Sequence, residues 1–228
     1  MIFIDGLIEA FKLLVSFDYE VYSIILLSLF VSIVATLLAT IFSIPIAILI
    51  SINNFKYKRF AKRIIFSLMA IPPVVLGLFV MLLISRKGPL GDLGLLFTPT
   101  AMILAQTLLV MPIITGNIIT STEELSLKLI ETCKTLGGSS KDIIKLIISE
   151  TKTFIYMAVM LGFSRAISEV GAVMLVGGSI KGKTRVMTTF IALTNSMGDY
   201  TKSLAMGMIL LLIAFIVTSL IMRIRGDE

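Results

Sequence analysis

The sequence contains no histidine and only one cysteine, Cys133, among its 228 residues. Without histidine, a catalytic triad that depends on imidazole is excluded, and a metal site with the usual nitrogen and sulfur ligands is not expected. A single cysteine cannot form a disulfide within the chain. Charged residues are also scarce, at 15% of the chain. These absences argue against the enzyme and metal-binding classes that rest on histidine or cysteine chemistry.

Apolar side chains are abundant, at 57% of residues, and the mean hydropathy is +1.04. Because a helix needs about 20 apolar residues to cross a bilayer, five stretches qualify as spans: 22–52, 64–84, 100–119, 154–176 and 204–222. We therefore predict an all-α integral membrane protein with five transmembrane helices. The N-terminus has no basic region ahead of an apolar core, so no cleaved signal peptide is expected.

The cations predict how the chain is oriented. Residues 56–63 hold five cations and no acid, which is typical of a cytoplasmic loop. This places the N-terminus outside and the C-terminus inside, and it explains the net charge of +6 without nucleic-acid binding. Four cations of the last external loop oppose the rule: Lys181, Lys183, Arg185 and Lys202. They either attract an anion or make structural contacts with lipid or a partner.

Residues 1–20 are predicted to be a separate extracytoplasmic segment, followed by one membrane domain over residues 21–225. In residues 1–20, apolar residues recur at roughly helical spacing among four acids and one lysine. This pattern predicts a short amphipathic helix at the membrane interface, with an ordinary surface helix as the alternative.

Several prolines fall inside the predicted spans. Pro45 is expected to bend the first span, and Pro72 and Pro73 to break or kink the second, because proline removes backbone donors. The broken segment either lines a pathway or is merely a bent packing helix. Gln106 and Pro112 of the third span are expected to face protein and not lipid.

Residues 120–152 are a polar interruption with five lysines and five acids. Ser121 and Glu124 have capping-box spacing, which predicts that a helix begins there. Gly137 and Gly138 should end that helix, and Ser139 or Ser140 should cap a second one that ends near Lys152. The residues alone permit either a docking surface or a solvated loop.

The spacing of Glu131, Gly137 and Ile147 resembles the EAA loop of permeases from ATP-binding-cassette importers. The chain departs from that pattern at residues 132–133, where Thr-Cys replaces paired alanines, and at 149–150, where Ser-Glu replaces Leu-Pro. In the family this loop forms a coupling helix that docks on the ATPase subunit. The resemblance implies that role for seven residues here: Glu131, Leu136, Gly137, Gly138, Lys141, Asp142 and Ile147.

A second resemblance covers residues 163–180, FSRAISEVGAVMLVGGSI, and residues 184–189, TRVMTT. Both are similar to permeases of molybdate- and tungstate-type oxyanion importers, and they look closer to the tungstate branch. The resemblance implies a type I importer permease in the plasma membrane of a prokaryote, with tungstate as the expected substrate. Molybdate and sulfate are the alternatives.

Arg165 and Glu169 lie four residues apart in the fourth predicted span, so they can pair and reduce the cost of charge at membrane depth. One interpretation is a structural ion pair. The other makes them part of the cytoplasmic pathway or its gate, together with Pro72 and Pro73. Small residues at 162, 164, 166 and 168 would allow close helix approach under either interpretation.

The resemblance also implies the partners: a second copy of the permease, an ABC ATPase, an extracytoplasmic oxyanion-binding protein and the surrounding lipid. ATP and Mg²⁺ are expected on the ATPase, and no cofactor on this chain. The Gly182-Lys183-Thr184 triplet is not expected to bind phosphate, because it lies in the predicted external loop. The rival hypotheses are a secondary transporter driven by an ion gradient and a membrane scaffold that transports nothing.

Overall fold

The computed structural model of the chain describes the backbone of residues 2–16 and 18–225, and side chains there except at 2, 3, 14, 124–128, 220, 221, 224 and 225. This part of the chain is helical and contains no strand. The α-helices are α1 (Ile2–Val15), α2 (Tyr19–Ile52), α3 (Lys58–Met69), α4 (Pro73–Ile84), α5 (Pro99–Thr135), α6 (Ser140–Ile167), α7 (Gly171–Gly177), α8 (Met187–Ser196) and α9 (Tyr200–Arg225). A short 3₁₀ helix covers Gly91–Leu93.

Four of the described helices, α2, α5, α6 and α9, are long and apolar enough to cross a membrane. The pair α3 and α4 forms a fifth candidate span that is interrupted between Met69 and Pro73. The prediction of an all-helical protein is confirmed, and the four or five candidate spans agree with the five predicted. The break at Pro72 and Pro73 is confirmed as well.

Two predicted boundaries of the polar stretch are wrong. No helix begins at Ser121: α5 runs through it, and the Ser121 hydroxyl donates to the carbonyl of Asn117 at 3.0 Å inside the helix. The side chain of Glu124 lies outside the described residues. Near Lys152 no helix ends, because α6 continues to Ile167. The polar stretch is therefore built from the ends of two long helices, not from two short ones.

The fourth predicted span, 154–176, is also interrupted. Helix α6 ends at Ile167 and α7 begins at Gly171, so residues 168–170 form a break in the middle of an apolar stretch. The predicted external loop after it contains α8, a helix of ten residues that the sequence patterns did not indicate.

The chain divides into two compact units, and unit 1 consists of residues 1–35, 72–106 and 164–228. Its core includes Val31, Val80, Met102 and Val173. The predicted N-terminal helix is confirmed as α1, which packs against α9 through small residues: a Cβ on Gly6 would lie 2.6 Å from Leu204. Its large apolar side chains, such as Phe11, are exposed.

Unit 2 consists of residues 36–71 and 107–163. Its helices approach closely at glycines: a Cβ on Gly162 of α6 would lie 2.7 Å from Ile114 of α5, and one on Gly116 would lie 2.4 Å from Met69 of α3. The Ser43 hydroxyl of α2 donates to the Met111 carbonyl at 3.0 Å, next to Pro112. The polar stretch predicted to dock on a partner lies entirely in this unit.

Candidate functional site

The first candidate site is the hairpin, defined here as residues 129–148, where α5 turns into α6. Helix α5 ends at Thr135, and Gly137 adopts a φ of +77°, a conformation that favours glycine. The Gly138 N–H donates to the Cys133 carbonyl at 2.8 Å, which closes the turn in the manner of a glycine C-cap. The predicted helix end at Gly137 and Gly138 is confirmed.

Ser139 and Asp142 form the start of α6. The Asp142 carboxylate accepts hydrogen bonds from the Ser139 N–H at 2.8 Å and the Ser139 hydroxyl at 2.6 Å, and the Asp142 N–H faces the Ser139 hydroxyl at 3.4 Å. These reciprocal bonds are those of a capping box, with Ser139 as the cap. Asp142, predicted to contact a partner, therefore also stabilises the turn.

A small apolar core holds the two arms of the hairpin together. Cys133, Ile143 and Ile147 are buried in it, and Leu129 and Leu146 pack on its edge. Ile147 is fully buried, so its contribution is to the shape of the hairpin and not to its outer surface.

The outer surface of the hairpin is formed by other predicted residues. Leu136 is 83% exposed at the tip. Glu131 and Lys141 are exposed on the two arms beside the turn. An apolar tip with charged flanks has the composition of a protein contact surface, with an apolar centre and a polar rim.

Sequence reasoning missed an ion-pair cluster next to the hairpin in unit 2. Glu123 of α5 pairs with Lys58, at 3.2 Å between Nζ and Oε1, and with Lys62. Lys58 also donates to the Ser51 carbonyl at 2.9 Å. The sequence pattern identified these lysines only as a marker of orientation; their alignment with Glu123 required the tertiary structure.

The second candidate site is the break at residues 168–170, called here the buried break because Glu169 at its centre is buried, although Ser168 is exposed. The predicted pair is confirmed: Nη1 of Arg165 lies 3.2 Å from Oε2 of Glu169. Glu169 lies beyond the end of α6, so the two residues do not share a continuous helix face as predicted. The side chain of Glu169 is only 3% exposed, and its Oε1 accepts the Ala172 N–H at 3.0 Å.

Other side chains satisfy the backbone around the buried break. The Gln106 amide donates to the Ala166 carbonyl at 3.0 Å, and the Thr188 hydroxyl donates to the Glu169 carbonyl at 2.8 Å. Gln106 is 3% exposed, which confirms that it faces protein. Its Oε1 atom has no hydrogen-bond partner among the described residues. Buried polar groups here therefore replace helical hydrogen bonds that the break removes.

Pro72 and Pro73 begin α4, where the Pro72 carbonyl accepts the Val75 N–H at 3.0 Å. Helix α4 packs on α7 with almost no side chain between them, because a Cβ on Gly77 would lie 2.6 Å from the Cα of Ala172. The structure thus brings α4, which Pro73 starts, and α7, which follows Glu169, into direct contact within unit 1.

The predicted external loop carries the spacing of a phosphate-binding loop, because Gly177 lies five residues before Gly182, which Lys183 and Thr184 follow. Its structure is different, because the segment follows a helix and not a strand. Thr184 is fully buried; its hydroxyl donates to the Gly177 carbonyl at 2.5 Å and accepts the Ile180 N–H at 3.0 Å. The Thr184 hydroxyl, which would face magnesium in a phosphate-binding loop, is used to fold the segment.

Three of the four cations that opposed the orientation rule have acidic partners in unit 1. Lys181 lies 2.6 Å and Arg185 lies 3.7 Å from the Glu20 carboxylate, and Lys202 lies 2.9 Å from Asp199. Hydrogen bonds from the Lys202 side chain and backbone N–H hold the pKa of Asp199 below its ordinary value. These three cations are paired within the chain itself, an arrangement that neither interpretation predicted.

Comparison with known proteins identifies relatives along nearly the whole chain. Residues 43–225 match the family of binding-protein-dependent transport system inner membrane components. The chain is 48% identical to the tungstate uptake system permease protein of Peptoclostridium acidaminophilum, over 98% of both chains. It is 35% identical to that of Campylobacter jejuni, over 94% of this chain and 91% of the relative. A sulfate transport system permease protein of Synechococcus elongatus is 30% identical, over 76% and 63% respectively.

Proposed function

Because the chain belongs to the family of binding-protein-dependent transport system inner membrane components, we propose that it is the permease subunit of an ATP-binding-cassette importer for tungstate. It is a multi-pass membrane protein, and its relatives are transport permeases and not enzymes. ATP and Mg²⁺ would be used by a separate ATPase subunit, and an extracytoplasmic binding protein would deliver the ion.

The substrate proposal rests on the near full-length similarity to two tungstate uptake permeases. The more distant similarity to a sulfate permease keeps sulfate, and with it molybdate, as the second candidates. All three ions are tetrahedral oxyanions with the same charge. The delivering protein would therefore select among them, and the permease would move what it receives.

The hairpin is the element that would couple the permease to the ATPase. With the N-terminus outside and the C-terminus inside, the hairpin would lie in the cytoplasm, and two copies of the chain would enclose the pathway. Leu136 at the tip would enter a groove of the ATPase, flanked by Glu131 and Lys141. The observation that carries this role is the exposed apolar tip on a turn rigidified by Gly137 and by the Ser139–Asp142 cap. Coupling requires contacts that differ between conformational states.

The buried break would belong to the pathway or its gate through Arg165, Glu169, Pro72 and Pro73. Glu169 is held on both carboxylate oxygens, by Arg165 and by the Ala172 N–H. This arrangement favours a positioning role, in which the pair shapes the break and leaves the ion to other groups.

Reconstitution tests the proposal. The permease, its ATPase and its binding protein are placed in proteoliposomes, and ATP hydrolysis is measured with tungstate, molybdate or sulfate. We expect hydrolysis and uptake to be stimulated at the lowest concentration by tungstate. Stimulation by sulfate alone would overturn the substrate.

Two further results would overturn the mechanism itself. Uptake by the purified chain alone under an ion gradient would indicate a secondary transporter. Capture of the ATPase without oxyanion-stimulated hydrolysis would indicate a scaffold.

A further inference from the structure

A cavity of about 770 Å³ lies in unit 2 where α2 passes into α3. Its size falls in the range of small-molecule sites. The cavity is lined by the end of α2, the loop after it, α3 and α5, through Ser51, Ile52, Asn54, Phe55, Lys56, Lys58, Arg59, Lys62, Glu123 and Ile130. In the sequence, the cations of residues 56–63 served only to predict the orientation of the chain. The proposed coupling to the ATPase does not involve them.

The lining is strongly cationic. Four cations, Lys56, Lys58, Arg59 and Lys62, face one carboxylate, Glu123, which leaves a charge of 4 − 1 = +3 among these residues. Lys58 is held in place by Glu123 and by the Ser51 carbonyl, so its position is determined before any ligand arrives. Lys56 and Arg59 line the cavity and are exposed. Clustered ammonium and guanidinium groups are the side chains that bind phosphate in proteins.

The N-terminus of α3 adds a second source of positive potential. Helix α3 has twelve residues and begins at Lys58, and its cap residue, Tyr57, makes no capping hydrogen bond through its side chain. The first N–H groups of a helix carry partial positive charge and bind anions readily.

Aromatic side chains beside the cavity indicate the kind of anion. Phe55, Tyr57 and Phe60 are 43%, 64% and 61% exposed, and Phe55 also lines the cavity. The loop directly follows the spanning helix α2, so these rings lie where a membrane protein meets the interface, a position that aromatic residues favour. A free oxyanion has no apolar part that could contact these three rings, whereas the acyl chains of a lipid can cover them.

We propose that this cavity binds the phosphate headgroup of an anionic phospholipid. Arg59 and Lys56 contact the phosphate at the entrance, the fixed Lys58 provides the field behind it, and Phe55 and Phe60 contact the acyl chains. The proposal concerns lipid recognition only and does not depend on which ion is transported.

Native mass spectrometry of the purified full-length chain tests the site. The protein is titrated with phosphatidylglycerol or phosphatidylcholine, and bound lipid is counted for the unchanged chain, Arg59→Gln and Arg63→Gln. Arg63 is the matched control because it lies one turn along α3 and does not line the cavity. We expect Arg59→Gln to weaken binding of phosphatidylglycerol about fivefold, the effect of one cation near an anionic lipid surface, and Arg63→Gln to leave it within about a factor of two.

Three results would overturn the proposal: an equal loss in both variants, which indicates a diffuse field; equal binding of the two lipids; or displacement of phosphatidylglycerol by millimolar inorganic phosphate, which indicates a site for free anions. Lys56→Gln, in the loop before α3, is the second variant should Arg59→Gln misfold, and the same fivefold loss is expected from it.

Discussion

The hairpin turn and the buried break are two interruptions of long helices, and the chain resolves them in opposite ways. At the turn, Gly137 adopts a positive φ with nothing within 4 Å of the position its Cβ would take. At the break, Glu169 is 3% exposed and is surrounded by Arg165, Gln106 and Thr188. One interruption is made by a glycine in open space, the other by a network of buried polar groups.

The difference between the two interruptions follows from the hydrogen-bond partners available to the backbone at each helix end. Exposed backbone groups can bond to water, so a turn at the surface needs only a suitable backbone and one cap. A buried interruption must supply every partner from the protein itself. The hairpin consequently keeps its exposed side chains available for another protein, whereas the side chains of the break are used internally.

The largest expected effect is on stability, and it distinguishes a buried residue of the hairpin from an exposed one. Ile147→Ala should lower the free energy of unfolding by about 2–5 kcal/mol, because it leaves a cavity in the core with Cys133 and Ile143. Leu136→Ala removes a side chain of similar size that is exposed, so stability should change by less than about 0.5 kcal/mol. Denaturant titration in detergent measures both.

Leu136→Ala should instead weaken binding of the ATPase, by about fivefold for a contact at the centre of an interface. Binding can be measured with purified ATPase by surface plasmon resonance. If Leu136→Ala binds the ATPase normally, the tip is not the docking surface.

A smaller effect tests the internal network of the break. Glu169→Ala leaves the Ala172 N–H without its acceptor and Arg165 without its partner, so we expect a loss of about 1–3 kcal/mol of stability. Glu169→Gln keeps an acceptor for the N–H and should recover part of that loss.

Glu150→Ala is the control for the break, because Glu150 is an exposed acid of α6, the helix that ends just before the break. It should change the melting temperature by less than Glu169→Ala does. Equal shifts for the two variants would contradict a structural role for the buried pair.

A substitution at Gly137 tests coupling at the turn. Leucine at position 137 must adopt a φ of +77°, which costs about 1–2 kcal/mol. Gly198, with a φ of +79° and open space around it, would impose the same strain elsewhere. We expect Gly137→Leu to reduce transport per ATP hydrolysed by about tenfold, while Gly198→Leu reduces only stability.

Uptake and hydrolysis measured together in proteoliposomes distinguish the two variants. If both variants lose the same amount of transport per ATP hydrolysed, backbone strain and not docking is responsible for the loss.

Local signals in the sequence predicted much of both interruptions. Two glycines followed by Ser139 and Ser140 predicted the turn, because glycine permits a positive φ and serine can cap a helix. Pro72 with Pro73 predicted the break before α4, because proline removes backbone donors. The spacing of Arg165 and Glu169 predicted their ion pair. Each of these features depends on residues close together in the chain.

Other features depended on surroundings that the sequence patterns do not report. Ser121 can cap a helix or bond within one, and in α5 it bonds to Asn117, so its capping signal was misleading. The break at 168–170 follows an apolar stretch without proline, and its stability comes from Gln106 and Thr188, which are distant in sequence. The cavity beside α3 likewise depends on the contact between Glu123 and Lys58, which are distant in sequence.

The contact between Gly77 and Ala172 has a mechanical consequence. Helices α4 and α7 each start directly after an interruption, and at Gly77 and Ala172 they approach each other through backbone and a methyl group. Packed protein atoms are hardly compressible. We therefore expect a shift of the α4 segment toward α7 to displace the Glu169 end of α7 as well.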